Sequence, residues 1–216
     1  INGKPLLSRL IDRFRKANVK KIFVVCGYKS RSINVPNINL VENLNFESNR
    51  ELASLTLAQT HFNEDMVILY GDLLFRGYVL KGLLESKREL TVIVDSSKRS
   101  KEQEGDNDFA FCSVEDNREL WGQDVLLEHI DPKPEYKGRI CSGRWIGMVR
   151  VHGAGRDWIE TAIDDLKSLS TFDNLDLGHL LNKIIDNGHP IRVIYIHGHW
   201  LNVNSLRDLE HARSFM

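Results

Sequence analysis

The chain has 216 residues, 42% of them hydrophobic and 27% charged, which is typical of a globular domain. Its formal net charge of −1 gives no electrostatic basis for binding nucleic acid or an anionic membrane. No apolar run approaches the roughly 20 residues that span a bilayer, and no secretory signal is evident. The three cysteines form no CxxC pair, which indicates buried free thiols in a reducing compartment. We therefore predict a cytoplasmic protein without nucleic-acid or membrane partners.

The first half of the chain alternates helical and strand-like patterns. Apolar spacing predicts helices over 5–17, 48–62 and 79–84, with Ser48 as the N-cap of the second and Glu51 completing a capping box. Short apolar runs predict buried strands over 20–26, 38–43, 66–70 and 90–95. Because strands and helices alternate, we expect βαβ units and a mainly parallel sheet.

The second half begins with a charged run over 98–108, which is typical of a solvated loop. Three strands without intervening helices follow, and these favour antiparallel or mixed pairing. The predicted strands cover 109–114, 125–130, 145–151 and 191–196, and the predicted helices cover 157–169, 175–187 and 206–215. Residues 1–216 are thus predicted to form one α/β domain, a Rossmann-like mixed, mainly parallel sheet flanked by helices.

The strand over 66–70 ends abruptly at Gly71-Asp72. Open α/β sheets bind ligands beyond the carboxyl ends of their strands. Asp72 therefore has two interpretations at this stage. It is either a turn residue that caps the next helix, or a carboxylate that holds a divalent cation against phosphate oxygens.

Other motifs give weaker signals. The sequence contains neither G-x-G-x-x-G nor a P-loop, and no serine lies in a nucleophile elbow. His197 and His199 could form a metal pair, but no third ligand lies nearby in the sequence. We favour polar loop contacts for both, because structural metal sites usually need four ligands.

Four segments carry a family resemblance when taken in order. They read "INGKPLL…RLIDRFRKANVKKIFVVCGY", "VILYGDLLF", "WIGMVRV" and "HGHWLNVNSLRDLEHA". Together they resemble nucleotidyltransferases of the sugar-nucleotide pyrophosphorylase superfamily, and most of all the choline-phosphate and phosphonate cytidylyltransferase-like branch. The later part is similar to the nucleotidyltransferase domain fused to phosphoenolpyruvate mutases. The resemblance implies a magnesium-dependent enzyme that transfers a nucleotidyl group to a phosphate or phosphonate and releases pyrophosphate.

The resemblance also implies roles for particular residues. Asp72 matches the metal-binding aspartate of the family, and Asn202 and Asn204 stand where relatives usually carry metal-binding carboxylates. Lys133 falls where relatives keep a lysine near the acceptor phosphate, although a plain loop lysine fits equally well. Arg144 replaces a glutamate, and it either pairs with a phosphonate or is a surface substitution without a role.

Further residues fall in segments that surround the nucleotide or the acceptor in the family. Gly27, Tyr28, Ser54 and Gly71 correspond to the nucleotide-binding part. Trp145 and Trp200 fall near the acceptor pocket, although buried core tryptophans are the favoured interpretation.

The resemblance further implies that a strand and a G-x-G-x-R loop should precede Ile1. Neither is in the sequence, so the chain is expected to lack its N-terminal strand and glycine-rich loop. We predict transfer of CMP from CTP to a small phosphonate or phosphorylated alcohol with Mg²⁺ as cofactor. A sugar-1-phosphate nucleotidyltransferase and an inactive nucleotide-binding module are the alternatives, and a fusion partner or a homo-oligomer stays open.

Overall fold

A computed structural model describes residues 1–63, 65–97, 108–117 and 123–215. The predicted charged loop over 98–108 lies, apart from Asp108, outside the described residues. The α-helices are α1 (Leu6–Lys16), α2 (Glu51–Leu57), α3 (Gly77–Glu85), α4 (Gly155–Lys167), α5 (Leu177–Asp186) and α6 (Leu206–Ser214). Short 3₁₀ helices cover Ser30–Ser32, Gln59–His61 and Phe172–Asn174.

The strands follow the predicted positions closely, with four short ones added. They are β1 (Phe23–Cys26), β2 (Asn39–Glu42), β3 (Asp65–Leu69), β4 (Leu73–Phe75), β5 (Leu90–Asp95), β6 (Phe109–Cys112), β7 (Leu127–Asp131), β8 (Glu135–Tyr136), β9 (Arg139–Ile140), β10 (Gly143–His152), β11 (Arg192–Ile196) and β12 (Trp200–Asn202). The sequence did not predict β4, β8, β9 or β12, because strands of two or three residues carry no periodic signal.

The central sheet has six strands and is mixed. Its order is β11-β5-β10-β6-β7, and β3 pairs with another part of the long strand β10. The strands β3, β5, β6 and β11 run in one direction, while β7 and β10 run against them. The prediction of a mixed, mainly parallel sheet flanked by helices is confirmed. Separate two-stranded pairs are β1 with β2 (parallel), β4 with β12 and β8 with β9.

Helices cover both faces of the central sheet. On one face, Val92 of β5 and Val149 of β10 pack against Ile159 of α4 and Leu181 of α5. On the other face, Ile93 of β5 and Met148 of β10 pack against Phe14 of α1 and Leu83 of α3. Alternate residues of β5 thus enter opposite cores, as the two-residue period of a strand requires.

The start of α2 corrects one prediction. Ser48 does not cap this helix, because the N-cap is Arg50 and no side chain makes a capping bond. The Ser48 hydroxyl instead donates to the carbonyl of Asn45 within a preceding turn, 3.0 Å away. The serine lies two residues too early, so the predicted capping box does not form.

A bulge in β10 shapes the part of the sheet nearest Asp72. The register with β5 shifts between Trp145 and Val149, and Gly147 has a φ of +80°. A methyl group at Gly147 would lie 2.2 Å from the ring of Tyr70. The Trp145 indole donates to the carbonyl of Met148 across the bulge, at 2.9 Å. Glycine is therefore needed here both for its backbone angle and for the close approach of Tyr70.

We expect Gly147→Ala to lower the free energy of unfolding by about 2–3 kcal/mol, since it combines an unfavourable φ with overpacking. Gly82→Ala is the matched control, because Gly82 lies in α3 with open space around its Cβ position. That change should stabilise by about 0.5–1 kcal/mol. Urea unfolding of both variants measures the difference, and equal stabilities would contradict the steric argument.

Candidate active site

The turn at Gly71-Asp72 joins β3 directly to β4, with no helix between them. The next helix, α3, begins at Gly77, and its N-cap is Arg76. The interpretation of Asp72 as a helix cap is therefore wrong. Asp72 lies just beyond the carboxyl end of β3, which is where open α/β sheets bind their ligands; we call the surroundings of Asp72, with Asn202, Asn204 and Arg144, the crevice.

The segment that contains Asn202 and Asn204 lies beside Asp72. Strand β12 pairs with β4 so that Asn202 is opposite Leu73, and the Val203 amide donates to the Asp72 carbonyl at 2.9 Å. Asp72 Oδ1 and Asn202 Oδ1 are both buried without a hydrogen-bond partner. The three residues predicted as metal ligands are thus brought together by the pairing of β4 with β12.

The electrostatic state of Asp72 reflects this partly buried position. Burial raises the pKa of its carboxyl above the usual value, and a hydrogen bond from the Asn204 side chain offsets part of that rise. A nearby cation would stabilise the charged form of this carboxylate, because it would compensate for the hydration that is lost on burial. Among the described residues no group of three His, Cys, Asp or Glu side chains is arranged to hold a metal ion. The two other predicted ligands beside Asp72, Asn202 and Asn204, are amides.

Arg144 is buried at the start of β10, and only 7% of its surface is exposed. It lies opposite Asp95 in the register with β5, and its guanidinium lies 5.1 Å from the ring centre of Trp200. Burial lowers its pKa, while the carboxylates of Asp108, Asp95 and Asp72 oppose that shift. The interpretation of Arg144 as a surface substitution is wrong. Because β10 runs against β3 and β5, its first residues lie at the carboxyl ends of those strands.

Asp95 is a site residue that sequence analysis missed. It ends β5 and is 2% exposed. Its carboxylate accepts hydrogen bonds from the Trp200 indole at 2.7 Å, the Gly198 amide at 2.9 Å and the Ser97 amide at 3.0 Å. Asp95 therefore holds the loop that leads into β12. Asp95 could have been found from the sequence, because it ends a buried strand just as Asp72 follows one.

Asp108 and Tyr70 form a second missed pair. Tyr70 follows β3, crosses the bulge at Gly147 and hydrogen-bonds to the Asp108 carboxyl. Burial raises the pKa of Asp108 to about 6, with the nearby Asp176 adding to the rise and Arg144 opposing it. Burial also raises the pKa of Tyr70, so its hydroxyl stays protonated at neutral pH. No local sequence pattern predicts this pair, because the two residues meet only through the order of strands in the sheet.

We expect the raised pKa of Asp108 to make stability depend on pH. Between its ordinary value of 3.8 and about 6, the folded state binds more protons at this group than the unfolded state. Stability must therefore fall as pH rises through that window, by about 3 kcal/mol in all. Asp108→Asn should remove this component. Thermal melting of both proteins from pH 4 to 7 tests it, and parallel pH profiles would contradict it.

The four residues predicted for the nucleotide are only partly brought together. Ser54 and Gly71 line one cavity, and Ser54 accepts a hydrogen bond from Asn43 at 2.9 Å. Gly27 lies under the ring of Phe46, which lines the same cavity. Tyr28 is 71% exposed, and its ring lies 6.4 Å from that of Phe46. Their nucleotide contacts stay predictions.

The remaining predicted residues are dispersed. Lys133 is exposed in the turn after β7, where its amide donates to Asp131, so its role near an acceptor stays a prediction. His197 pairs with Asp116 at 2.9 Å, whereas His199 bonds to Tyr78 at 2.9 Å. The two histidines thus make the separate polar contacts favoured from the sequence.

Both tryptophans are buried. Trp145 is 1% exposed and Trp200 is 7% exposed, and each packs in a hydrophobic core. This agrees with the favoured core interpretation. The Trp200 ring also contacts the Arg144 guanidinium, and its indole donates a hydrogen bond to Asp95, so Trp200 helps to position both charged side chains. The cysteines are free, with Cys112 and Cys141 buried and Cys26 half-buried.

Comparison with known families agrees with this arrangement. The model of the MobA-like NTP transferase domain matches residues 1–215. The chain belongs to this family. It is therefore a member of the nucleotidyltransferase superfamily, as the resemblance in its sequence implied. A search of curated proteins finds no match.

Solved structures show the same fold for this NTP transferase domain. A CTP:phosphocholine cytidylyltransferase from Streptococcus pneumoniae is 14% identical with a TM-score of 0.70, covering 99% of this chain and 86% of that one. An inositol-1-phosphate CTP transferase from T. maritima is 18% identical with a TM-score of 0.72, covering 100% and 83%. A UTP-bound UGPase from Acinetobacter baumannii is 10% identical with a TM-score of 0.71, covering 97% and 81%. At these identities the likeness shows the fold alone.

No helix in the described part of the chain has the length and apolar character needed to cross a membrane.

Proposed function

We propose that this nucleotidyltransferase moves CMP from CTP to a small phosphonate or phosphorylated alcohol. In this reaction an oxygen of the acceptor attacks the α-phosphorus, the bond from that phosphorus to the bridging oxygen breaks, and pyrophosphate leaves with the electron pair. Such transfer depends on positioning and charge neutralisation more than on acid-base chemistry. The crevice at Asp72 offers groups for both tasks.

The observation that carries the proposal is the pair of unpartnered oxygens at Asp72 and Asn202. Buried oxygen atoms rarely lack a partner, and carboxylate and amide oxygens are ligands that Mg²⁺ accepts. Asp72 and Asn202 would hold the ion, with Asn204 supporting the Asp72 carboxylate. When bound, Mg²⁺ would neutralise charge on the phosphate oxygens of the nucleotide.

Arg144 supplies the fixed positive charge of the crevice. Its guanidinium is anchored by Trp200 below and by three carboxylates around it. A guanidinium in such a position can present two parallel donors to phosphate or phosphonate oxygens. We propose that Arg144 orients the acceptor, with Lys133 as a second cation from the turn after β7.

The matched test of this assignment is Arg144→Lys. Lysine keeps the charge that the three carboxylates require but loses the planar pair of donors. We expect KM for the acceptor to rise by about 10-fold or more, which corresponds to roughly 1.5 kcal/mol, while CTP affinity measured by calorimetry stays within about 2-fold. An unchanged acceptor KM would remove Arg144 from the acceptor site.

Pyrophosphate release with several nucleotides and acceptors tests the whole proposal. CTP and UTP should be compared, each with phosphocholine, a simple alkylphosphonate, inositol 1-phosphate and glucose 1-phosphate. The proposal expects CTP with a small acceptor to be preferred by more than about 10-fold. Preference for glucose 1-phosphate would favour the sugar-phosphate alternative. CTP binding without release in every combination would favour an inactive nucleotide-binding module, which the neutral Asn202 and Asn204 also suit.

A further inference from the structure

Polar side chains line the cavity that ends beside the crevice. The cavity has a volume of about 1050 Å³, and Asn49, Ser54, Tyr70 and Gly71 all contribute to its wall. Because Gly71 directly precedes Asp72, this wall leads into the crevice. A nucleoside triphosphate with its phosphates at Asp72 therefore has room to extend its base toward Asn49 and Ser54.

The buried side chain of Asn43 holds both of these residues in place. Asn43 follows β2, is 3% exposed, and donates its backbone amide to the Cys26 carbonyl at 2.8 Å. Its side-chain Nδ2 donates to Asn49 Oδ1 at 2.8 Å and to Ser54 Oγ at 2.9 Å. Its Oδ1 accepts a hydrogen bond from the backbone amide of Asn45 at 2.9 Å. Both ends of the Asn43 amide are therefore engaged.

The backbone amide of Asn45 fixes the direction of these hydrogen bonds. A backbone N–H can only donate, so the side-chain atom of Asn43 that faces it must be the oxygen. The atom of Asn43 that faces Asn49 and Ser54 is then the nitrogen. Asn49 consequently turns its oxygen toward Asn43 and keeps its NH₂ group for a ligand. The Ser54 hydroxyl accepts from Asn43 and keeps its proton for a ligand. This part of the wall thus presents hydrogen-bond donors.

We infer that Asn43 is a specificity-determining residue, which makes the cavity select cytosine over uracil by orienting Asn49 and Ser54 as donors. The inference rests on the proposed function, because it takes the cavity to hold the base of the nucleotide. Cytosine has two adjacent acceptors, O2 and N3, which match a pair of donors. Uracil carries a proton on N3, so a donor on the base would face a donor of the protein, and both would lose their hydrogen bond.

The turn that carries the donors is itself held by hydrogen bonds. The backbone amides of Ser48 and Asn49 both donate to the Asn45 carbonyl, at 2.9 and 3.1 Å. The Asn49 side chain can become an acceptor only by breaking its bond to Asn43, so the wall does not adapt easily to the wrong base. Phe46 lines the same cavity and is 37% exposed, which provides an apolar surface for a planar base.

Calorimetric titration of the protein with three nucleotides tests the inference. They are CTP, UTP and the triphosphate of 2-pyrimidinone riboside, which keeps the O2 and N3 acceptors of cytosine but lacks the 4-amino group. We expect CTP to bind at least about 10-fold more tightly than UTP, and the analogue to bind within about 3-fold of CTP. An analogue that binds as weakly as UTP would show that the 4-amino group is what the protein selects, and would overturn the inference.

Asn43→Asp should remove the selectivity. The new carboxylate still accepts from the Asn45 amide, but its second oxygen also accepts, so Asn49 must turn its NH₂ group inward and its oxygen toward the ligand. We expect the ratio of the UTP to the CTP dissociation constant to fall at least about 10-fold, so that UTP binds as tightly as CTP or more tightly. Asn49→Asp, at a half-buried position, should act in the same direction, because it also presents an acceptor to the base.

Asn45→Asp is the matched control for the added charge. Asn45 is exposed and enters the network through its backbone, so this change should weaken CTP and UTP alike and keep their ratio. Melting curves identify the variants that fold, and an unchanged ratio in either folded variant, Asn43→Asp or Asn49→Asp, would overturn the inference.

Titration of the unaltered protein separates this inference from the proposed function. Equal binding of CTP and UTP, or no detectable binding of either, would overturn the inference. Selective binding of CTP without pyrophosphate release would instead overturn the proposed function and leave the role of Asn43 intact.

Discussion

Asp72→Asn should lower turnover by on the order of 10³-fold and leave the fold intact. Asp72 is the carboxylate that lies beside Asn202 and Asn204 at the crevice, and both of these are neutral amides. In the variant, three neutral amide side chains would hold a divalent cation poorly in competition with a triphosphate that also binds it. The loss corresponds to about 4 kcal/mol of transition-state stabilisation.

The same substitution, Asp72→Asn, should leave the melting temperature unchanged or raise it, although it lowers turnover. Burial raises the pKa of Asp72, so its charged form is disfavoured in the folded protein. Replacing the carboxylate by an amide of the same shape removes this cost, and we expect an equal or slightly higher melting temperature. A large drop in melting temperature would mean that Asp72 has a structural role instead.

Calorimetry supplies a readout that does not depend on turnover. Binding of Mn²⁺ in the presence of CTP should weaken at least about 10-fold in Asp72→Asn. Asn202→Asp should strengthen it, since a second carboxylate would face the same ion, and Asn202→Ala is the matched control for loss of the oxygen. Near-normal metal binding and turnover in Asp72→Asn would show that Gly71-Asp72 is only a turn.

Asp95→Asn should lower the free energy of unfolding by about 3–5 kcal/mol, the largest stability effect that we expect at the site. Two donors to this carboxylate, the Trp200 indole and the Gly198 amide, belong to the loop and strand that carry Asn202. An asparagine would turn an N–H group toward at least one of them. It would also leave Arg144 with one fewer negative neighbour in a buried setting.

The matched control for Asp95→Asn is Asp164→Asn. Asp164 lies on α4 with 68% of its side chain exposed, and it makes an ion pair with Lys167 at 3.2 Å. Loss of an exposed pair should cost less than about 1 kcal/mol. Urea unfolding midpoints with unchanged m-values measure both changes. Equal effects of the two substitutions would contradict the role of Asp95 as the anchor of β12.

The local elements could be predicted from the sequence because each depends on spacing within a short window. The helix α1 and the strand β5 have nearly the predicted bounds, since their apolar periods are uninterrupted. The start of a short helix is harder to predict from sequence. For α2, Ser48 resembled an N-cap, but it lies two residues before the actual N-cap, Arg50, and its hydroxyl bonds within the preceding turn.

The surroundings of the site could be predicted only in part. Asp72 was recognised because a strand that ends in Gly-Asp is a local pattern, and Asn202 and Asn204 followed from the resemblance. Arg144 was also singled out, but its burial was not foreseen. Its position on β10, between β5 and β6, is what surrounds it with carboxylates.

The sequence by itself thus determined the order of helices and strands, the strand-end carboxylate at Asp72 and the family. Only the tertiary structure decided that Asp95 anchors β12, that Tyr70 reaches Asp108 over Gly147 and that β1 and β3 line the same cavity. The physical reason is the range of the interactions involved. Periodicity and turn chemistry act between residues a few positions apart, whereas these contacts join residues up to about 100 positions apart. Such contacts exist only once the order and register of the strands are set.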